Sequence, residues 1–261
     1  MARVISCTRS SGARRRLIKR ALTISTRQRT NSAIDMILQF PEEHSAKLLR
    51  SARESKSQLL QDLFVLSELG FKREGFFVEF GATNGVDLSN TFLLEKHFGW
   101  SGILAEPCKA WHAALRQNRT CHIETACVWR ESNSVVTFNA ADLGEFATID
   151  SFSSSDLHAE SRKTGEKYSV NTISLQDLLT KYVAPREIDY LSIDTEGSEL
   201  EILRDFDFNK YSLKVITVEH NFTPQREDLF TLLTRNGYTR KCEGASEFDD
   251  WYVVNETSAQ E

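Results

Sequence analysis

Four acidic side chains stand where apolar runs end. Glu79 closes Phe76-Phe77-Val78, and Glu106 follows Ile103-Leu104-Ala105. Asp194 follows Ile188 to Ile193, and Glu219 follows Leu213 to Val218. If those runs are strands of one open α/β sheet, the acids collect on its carboxyl rim, where such sheets bind ligands. Carboxylates gathered on one rim repel one another unless cations or hydrogen-bond donors meet them, so the arrangement points to a site. S-adenosylmethionine would bring a sulfonium and an ammonium to it. His220, directly after Glu219, titrates near neutrality and suits a general base. Alternatively Asp194, Glu219 and His220 can hold Mg²⁺, which lowers the pKa of a bound hydroxyl.

The stretch from Gly75 to Pro107 supplies the element that would position a cofactor. Its order is apolar run, Gly81-Ala82-Thr83-Asn84-Gly85, a helical pattern, a second apolar run and Glu106. Leu88, Thr91, Phe92, Leu94 and Phe98 carry the helical spacing. This is the βαβ unit that binds adenosine-containing cofactors. Gly81 and Gly85 permit torsions and close approach that a Cβ would block. Glu106 lies about 20 residues beyond them, where a carboxylate accepts hydrogen bonds from both ribose hydroxyls. The turn lacks a full GxGxxG, and Glu79 would repel a pyrophosphate while suiting the cationic amino-acid end of S-adenosylmethionine. The cofactor-binding set is therefore Glu79, Gly81, Asn84, Gly85 and Glu106, with Ser89 and Asn90 supporting the helix start.

Around that unit, strands and helices alternate, which implies a mostly parallel sheet with helices on both faces. A helical leucine pattern covers about Glu43 to Leu69, Pro107 opens a helix to about Asn118, and Cys121 to Trp129 reads as one strand. Cys127 and Val128 are core residues or, at a third strand's end, neighbours of an adenine. Residues 139–167 lack a clear period and read as a lid or acceptor-binding loop containing His158. Tyr238–Cys242 and Trp251–Val254 read as a late antiparallel pair.

The chain has 261 residues, 40% hydrophobic and 26% charged, which suits a soluble globular protein. Five cysteines without a CxxC pair argue against structural zinc and a disulfide framework, and a reducing compartment fits. Residues 1–30 hold nine of the 32 basic residues and none of the 37 acidic ones, so the remaining body is acidic. An acidic body disfavours sequence-independent nucleic-acid binding. The basic segment reads as a disordered tail in preference to a targeting peptide.

Two long motifs bring a family into view. VEFGATNGVDLSNTFLLEKHFGWSGILAEP resembles the first half of an FkbM-type methyltransferase domain, and DYLSIDTEGSELEIL resembles its second signature. With the intervening VNTISLQDLL, the resemblance runs from roughly Gln58 to Val254. It implies a class I, Rossmann-like methyltransferase fold, α/β, with a mostly parallel seven-stranded sheet. It also implies S-adenosylmethionine as cofactor and a hydroxyl of a sugar or sugar-containing metabolite as acceptor. Thr83 replaces the middle glycine of the common methyltransferase turn. Asp194 and Glu196 belong to the second signature, and with His220 they form the catalytic set. Residues 1–42 are expected as a basic arm and 43–256 as the methyltransferase domain, in the cytoplasm. The rival readings are an NAD(P)-dependent oxidoreductase and a non-catalytic domain that binds adenosylmethionine or a glycan.

Overall fold

Strands that are apolar on successive residues must be covered on both faces. The computed structural model, which describes residues 34–141, 146–154 and 159–255, places them at the centre of a three-layer α/β fold. In chain order the elements are α1 (Glu42–Ser51), α2 (Gln61–Glu68), β1 (Phe76–Phe80), α3 (Phe92–Phe98), β2 (Ser101–Ala105), α4 (His112–Asn118) and β3 (His122–Glu124). Then come β4 (Cys127–Trp129), β5 (Val135–Ala140), β6 (Thr148–Ile149), α5 (Ala159–Arg162), β7 (Glu166–Ser174) and α6 (Leu175–Lys181). The last elements are β8 (Glu187–Ile193), α7 (Glu199–Arg204), β9 (Ser212–Glu219), α8 (Gln225–Arg235), β10 (Tyr238–Lys241) and β11 (Asp249–Val254).

The expected seven-stranded sheet is present, in the order β10-β11-β9-β8-β1-β2-β3, and β11 alone runs against the others. Register explains how one sheet serves two cores. Ile103, Val78, Leu191, Ile216 and Tyr252 are successive cross-strand partners and bury on one face. Helices α6, α7 and α8 cover that face through Leu178, Leu203 and Leu233. Phe77, Leu104, Tyr190, Val215 and Trp251 bury on the other, under α1 to α4. Chain order reverses beside β1, whose neighbours are β2 and β8, so the topological switch point lies at the ends of β1 and β8.

The structure departs from the sequence expectations in four places. The helical leucine pattern from Glu43 divides into α1 and α2, because Leu60 takes a left-handed φ of 66° and Ser57 turns inward to Asn90. Leu88 is likewise left-handed and exposed, so the helix after the glycine turn starts only at Phe92. The strand expected over Cys121–Trp129 is two strands in two sheets. The Glu124 carboxylate accepts the N–H groups of Thr125 and Ala126 and turns the chain out of the main sheet. Finally, Met36 and Ile37 are buried in the core, so the packed body reaches back beyond the boundary expected at residue 43. The basic segment 1–33 and His158 lie outside the described residues.

The long aperiodic stretch carries structure of its own. Strands β4, β7, β5 and β6 make a second, four-stranded sheet around Cys108, Cys127, Phe138, Ile149 and Val170. Strand β7 continues directly into α6, whose N-cap Ser174 accepts the Asp177 N–H. The late pair is as expected, with Tyr238 opposite Val254 and Lys241 opposite Trp251.

Trp251 is fully buried, its ring 4.9 Å from that of Phe64 in α2. Trp251→Ala should lower unfolding free energy by roughly 3–5 kcal/mol, and Trp251→Phe by clearly less, measured by urea denaturation.

Candidate active site

The glycine turn after β1 is fixed by close contacts on both sides. Gly81 has φ 76°, and a Cβ there would lie 2.0 Å from the Asp194 carbonyl oxygen, so the ends of β1 and β8 meet at this point. Gly85 has φ 78°, and its Cβ would lie 2.6 Å from Cγ of Arg119. Between them Asn84 closes the turn on itself, its Oδ1 accepting the N–H groups of Val86 and Asp87 at 2.9 Å each.

Beneath the turn lies a buried polar network. Oε1 of Glu79 accepts the Asn90 N–H at 2.7 Å, and Oε2 accepts the hydroxyls of Ser89 and Thr91. Arg119, fully buried, lies 3.8 Å from Oε2 of Glu79. It donates to Glu95, to the Gly85 carbonyl, to Ser89 and to Thr91. Burial pushes the Glu79 carboxyl up, and Arg119 and the three donors pull it down. Asn90 accepts from Ser57 and donates to Ser192 in β8. Glu79, Ser89 and Asn90 thus hold the turn from below, and both Glu79 oxygens are engaged by the chain's own donors.

Glu106 sits just past β2. Its Oε2 accepts the Thr83 N–H at 2.8 Å and its Oε1 the Cys108 N–H at 2.7 Å, which ties the glycine turn to the second strand. No cation stands among the groups acting on it, and burial pushes its carboxyl up to about 7. Each oxygen keeps a second lone pair for a ligand hydroxyl.

Three further acids converge beyond β8 and β9. Asp194, Glu196 and Glu219 each offer an oxygen within 4.8 Å of the others. Asp194 is half-buried, and burial together with Asp249 and Glu199 pushes its carboxyl up to about 8. Glu219 is displaced upward by burial and by Asp194, and its Oε2 is buried without a partner. Asp249 faces Glu219 across the β11–β9 pair, is pushed up to about 7 by burial, and accepts Gln61 at 2.8 Å. Glu199 has a local task, its Oε1 accepting the N–H groups of Thr195 and Gly197. The second sheet reaches this rim: Thr148 in β6 donates to the Glu196 carbonyl. Arg162, fully buried, donates to Glu196 Oε2 at 2.7 Å and to the Phe146 carbonyl.

His220 is not a member of this group. The converging trio is Asp194, Glu196 and Glu219, where the sequence suggested Asp194, Glu219 and His220. The reason is local. Asn221 and Phe222 take left-handed φ values of 44° and 55°, which folds the Phe222 N–H back onto His220 Nδ1 at 3.0 Å. The other ring nitrogen is buried without a hydrogen bond, 3.7 Å from Asp250, and burial lowers the imidazole pKa. Asp250 is itself bound by Arg226 and Arg240.

Sequence reasoning passed over Arg119, Arg162 and Asp249. The two arginines look like any surface cation in the sequence, because their partners are far along the chain. Asp249 was findable: extending the late antiparallel pair to β9 sets it opposite Glu219.

The fold is that of a Rossmann-like α/β protein, and the acids gather at the switch point of its sheet. Residues 79–251 match the methyltransferase FkbM domain, and the chain belongs to that family. Among solved structures it is similar to a precorrin-6y C5,15-methyltransferase from Geobacter metallireducens GS-15. The identity is 11% and the TM-score 0.38, over 74% of this chain and 85% of the other. It is also similar to a candidate sarcosine dimethylglycine methyltransferase from Galdieria sulphuraria. Here identity is 12% and the TM-score 0.27, over 71% of this chain and 63% of that one. Comparison with curated proteins gave no match.

The raised carboxyls fix a pH dependence. Asp194 holds its proton up to about pH 8 when folded, against an ordinary value of 3.8, and Glu106 and Asp249 hold theirs to about 7. Between those limits the folded chain binds more protons than the unfolded one, so stability falls as pH rises. Melting temperature should decline from about pH 5 to about pH 9, and Asp194→Asn should flatten the decline. A rise over that window would contradict a proton-holding rim.

Proposed function

We propose that the chain is an S-adenosylmethionine-dependent methyltransferase acting on a hydroxyl of a sugar or sugar-containing metabolite. The observation that carries this reading is a glycine turn tied to Glu106, beside a rim of acids with raised pKa values. A nucleoside with a cationic sulfonium fits that donor set, and a pyrophosphate does not.

In this reading Gly81, Asn84 and Gly85 shape the turn against which the cofactor lies, and the free lone pairs of Glu106 take the ribose hydroxyls. Glu79, Ser89 and Asn90 act through the turn they hold. The bound cofactor supplies an electrophilic methyl group. In-line displacement at that carbon needs mainly alignment and exclusion of water. Proton acceptance falls to the Asp194–Glu219 pair, since a carboxyl with a raised pKa is the stronger base near neutrality. Glu196, fixed by Arg162 and Thr148, forms the wall beside them, and His220 supports the turn that follows β9. A divalent cation such as Mg²⁺ on Asp194, Glu196 and Glu219 is the second reading, favoured by the unpartnered Glu219 oxygen. Against it, Arg162 already neutralises Glu196.

Isothermal calorimetry should show S-adenosylhomocysteine binding where NADH does not. Glu106→Ala should weaken that binding about tenfold or more, as expected for lost hydrogen bonds to a charged group. No binding of S-adenosylhomocysteine would remove the reading, and NADH in its place would make the protein an oxidoreductase. Glu219→Gln should keep cofactor affinity and lower kcat by roughly 10²–10⁴, measured by transfer of a labelled methyl group.

A further inference from the structure

The described part of the chain opens on a helical turn at residues 34–37 whose two sides meet different surroundings. Met36 and Ile37 are buried in the same core cluster as Phe64 and Trp251, which fixes the turn to the body. Ile34 and Leu38 lie one turn apart, the Leu38 N–H donating to the Ile34 carbonyl at 3.0 Å, so they share the other side. Leu38 is 76% exposed and Ile34 46%. Leu49 of α1 is exposed too, next to the buried Leu48. Three of the seven exposed large hydrophobic side chains among the described residues thus fall within residues 34–49. Single apolar residues on a surface need no explanation, but a group of them marks a contact. What precedes them in the sequence is the most basic part of the chain. Residues 1–33 hold nine Lys and Arg, and all 37 acids lie beyond them. Arg14–Arg16, Lys19 and Arg20 alternate there with Leu17, Ile18, Ala21 and Leu22. Arg29 is five residues before Ile34, so chain length alone tethers its charge within roughly 18 Å of the apolar pair. Asp35, Glu42 and Glu43 are the acids nearest in sequence, three against nine bases.

We propose that Ile34 and Leu38, together with the basic segment before them, dock the protein on an anionic lipid surface. Nothing in this depends on the reaction assigned above. Negative headgroups draw the bases, and the two aliphatic side chains enter the boundary between headgroup and acyl chain. Stable attachment to a membrane surface takes two signals of this kind, and here they are covalently adjacent. Charge also confines the contact to this end, because an anionic surface repels the acidic body. RNA would meet the bases equally well, but it gives an isoleucine and a leucine nothing to cover them. Unpaired nucleobases stack on aromatic rings and guanidinium planes instead. No helix of the described residues is long and apolar enough to cross a membrane, so the attachment made through Ile34 and Leu38 is peripheral.

The test is co-sedimentation of the full chain with vesicles of phosphatidylcholine alone, or of phosphatidylcholine and phosphatidylserine at three to one. Wild type should pellet with the anionic vesicles and stay in solution with the neutral ones. Leu38→Asp should weaken that binding about tenfold, while Leu38→Trp should keep it. Leu38 is exposed, so both variants should melt with wild type. Replacing Arg14, Arg15 and Arg16 together by Ser should weaken binding roughly a hundredfold. Raising salt from about 0.1 M to about 1 M should release the protein. Failure to bind anionic vesicles overturns the proposal, and so does equal binding by Leu38→Asp. Tighter binding to an oligouridylate than to the vesicles would make the segment a nucleic-acid arm instead. A dimer in sedimentation velocity that Leu38→Asp dissociates would make the apolar pair a contact between two copies of the chain, which also rules out the lipid.

Discussion

The glycine turn after β1 depends on one buried guanidinium. Arg119 comes from the end of α4 and donates to Glu95 of α3, to the Gly85 carbonyl, and to Ser89 and Thr91, close to Glu79 of β1. It also stacks beside the ring of Phe77, 5.5 Å from its centroid. A buried ion pair is weakly stabilising at best, because desolvation offsets most of the attraction. What Arg119 supplies is specificity. Burial pushes the Glu79 carboxyl up, while Arg119 and the Asn90, Ser89 and Thr91 donors oppose that shift, so one network ties the turn to β1. Gly85 is needed because the arginine stem passes where its Cβ would be. Removing the arginine would leave Glu79 buried without a cation, and breaking such a pair typically costs 3–5 kcal/mol.

From this anchor the rest of the rim follows by register. Gly81 can approach Asp194 only because β1 and β8 are parallel neighbours ending at the same level, with Phe80 opposite Ile193. Strand β9 ends one step further along, and the reversed β11 begins where β9 ends, so Asp249 arrives beside Glu219. Carboxylates from three strands and one loop thus converge without any loop having to search for them. Their mutual repulsion is relieved in part by protons and in part by Arg162, delivered from the second sheet. That sheet is therefore more than a lid: it brings a cation to the wall of the site.

How much of this was legible in the sequence depends on the range of the interaction. The strands and their terminal acids were readable, because burial on both faces gives runs such as Ile188–Ile193 that few other structures need. The glycine turn and Glu106 were readable through fixed spacing within one βαβ unit. Breaks in elements were not. The bend at Thr125 and the left-handed Leu60 arise from a side chain capping nearby backbone or from a partner more than 30 residues away, and neither alters hydrophobic period. Arg119 and Arg162 were illegible for the same reason. In the sequence they are two arginines among many, and only the folded topology makes them the partners of Glu79 and Glu196.

The position of His220 changes which group can do proton chemistry. A general base must aim a lone pair at the acceptor. In neutral imidazole only one nitrogen has a lone pair to offer. Nδ1 uses that lone pair on the Phe222 N–H, so the tautomer is fixed with the proton on Nε2, which faces Asp250. A second proton would force Nδ1 to give up the turn, and burial already opposes the charge. The raised carboxyls lie instead at Asp194 and Glu219, whose oxygens converge and where one Glu219 oxygen is buried without a partner. A carboxyl pair of this kind can take a proton without a net change of charge elsewhere in the site. It lies beside the glycine turn, since Gly81 packs against the Asp194 carbonyl.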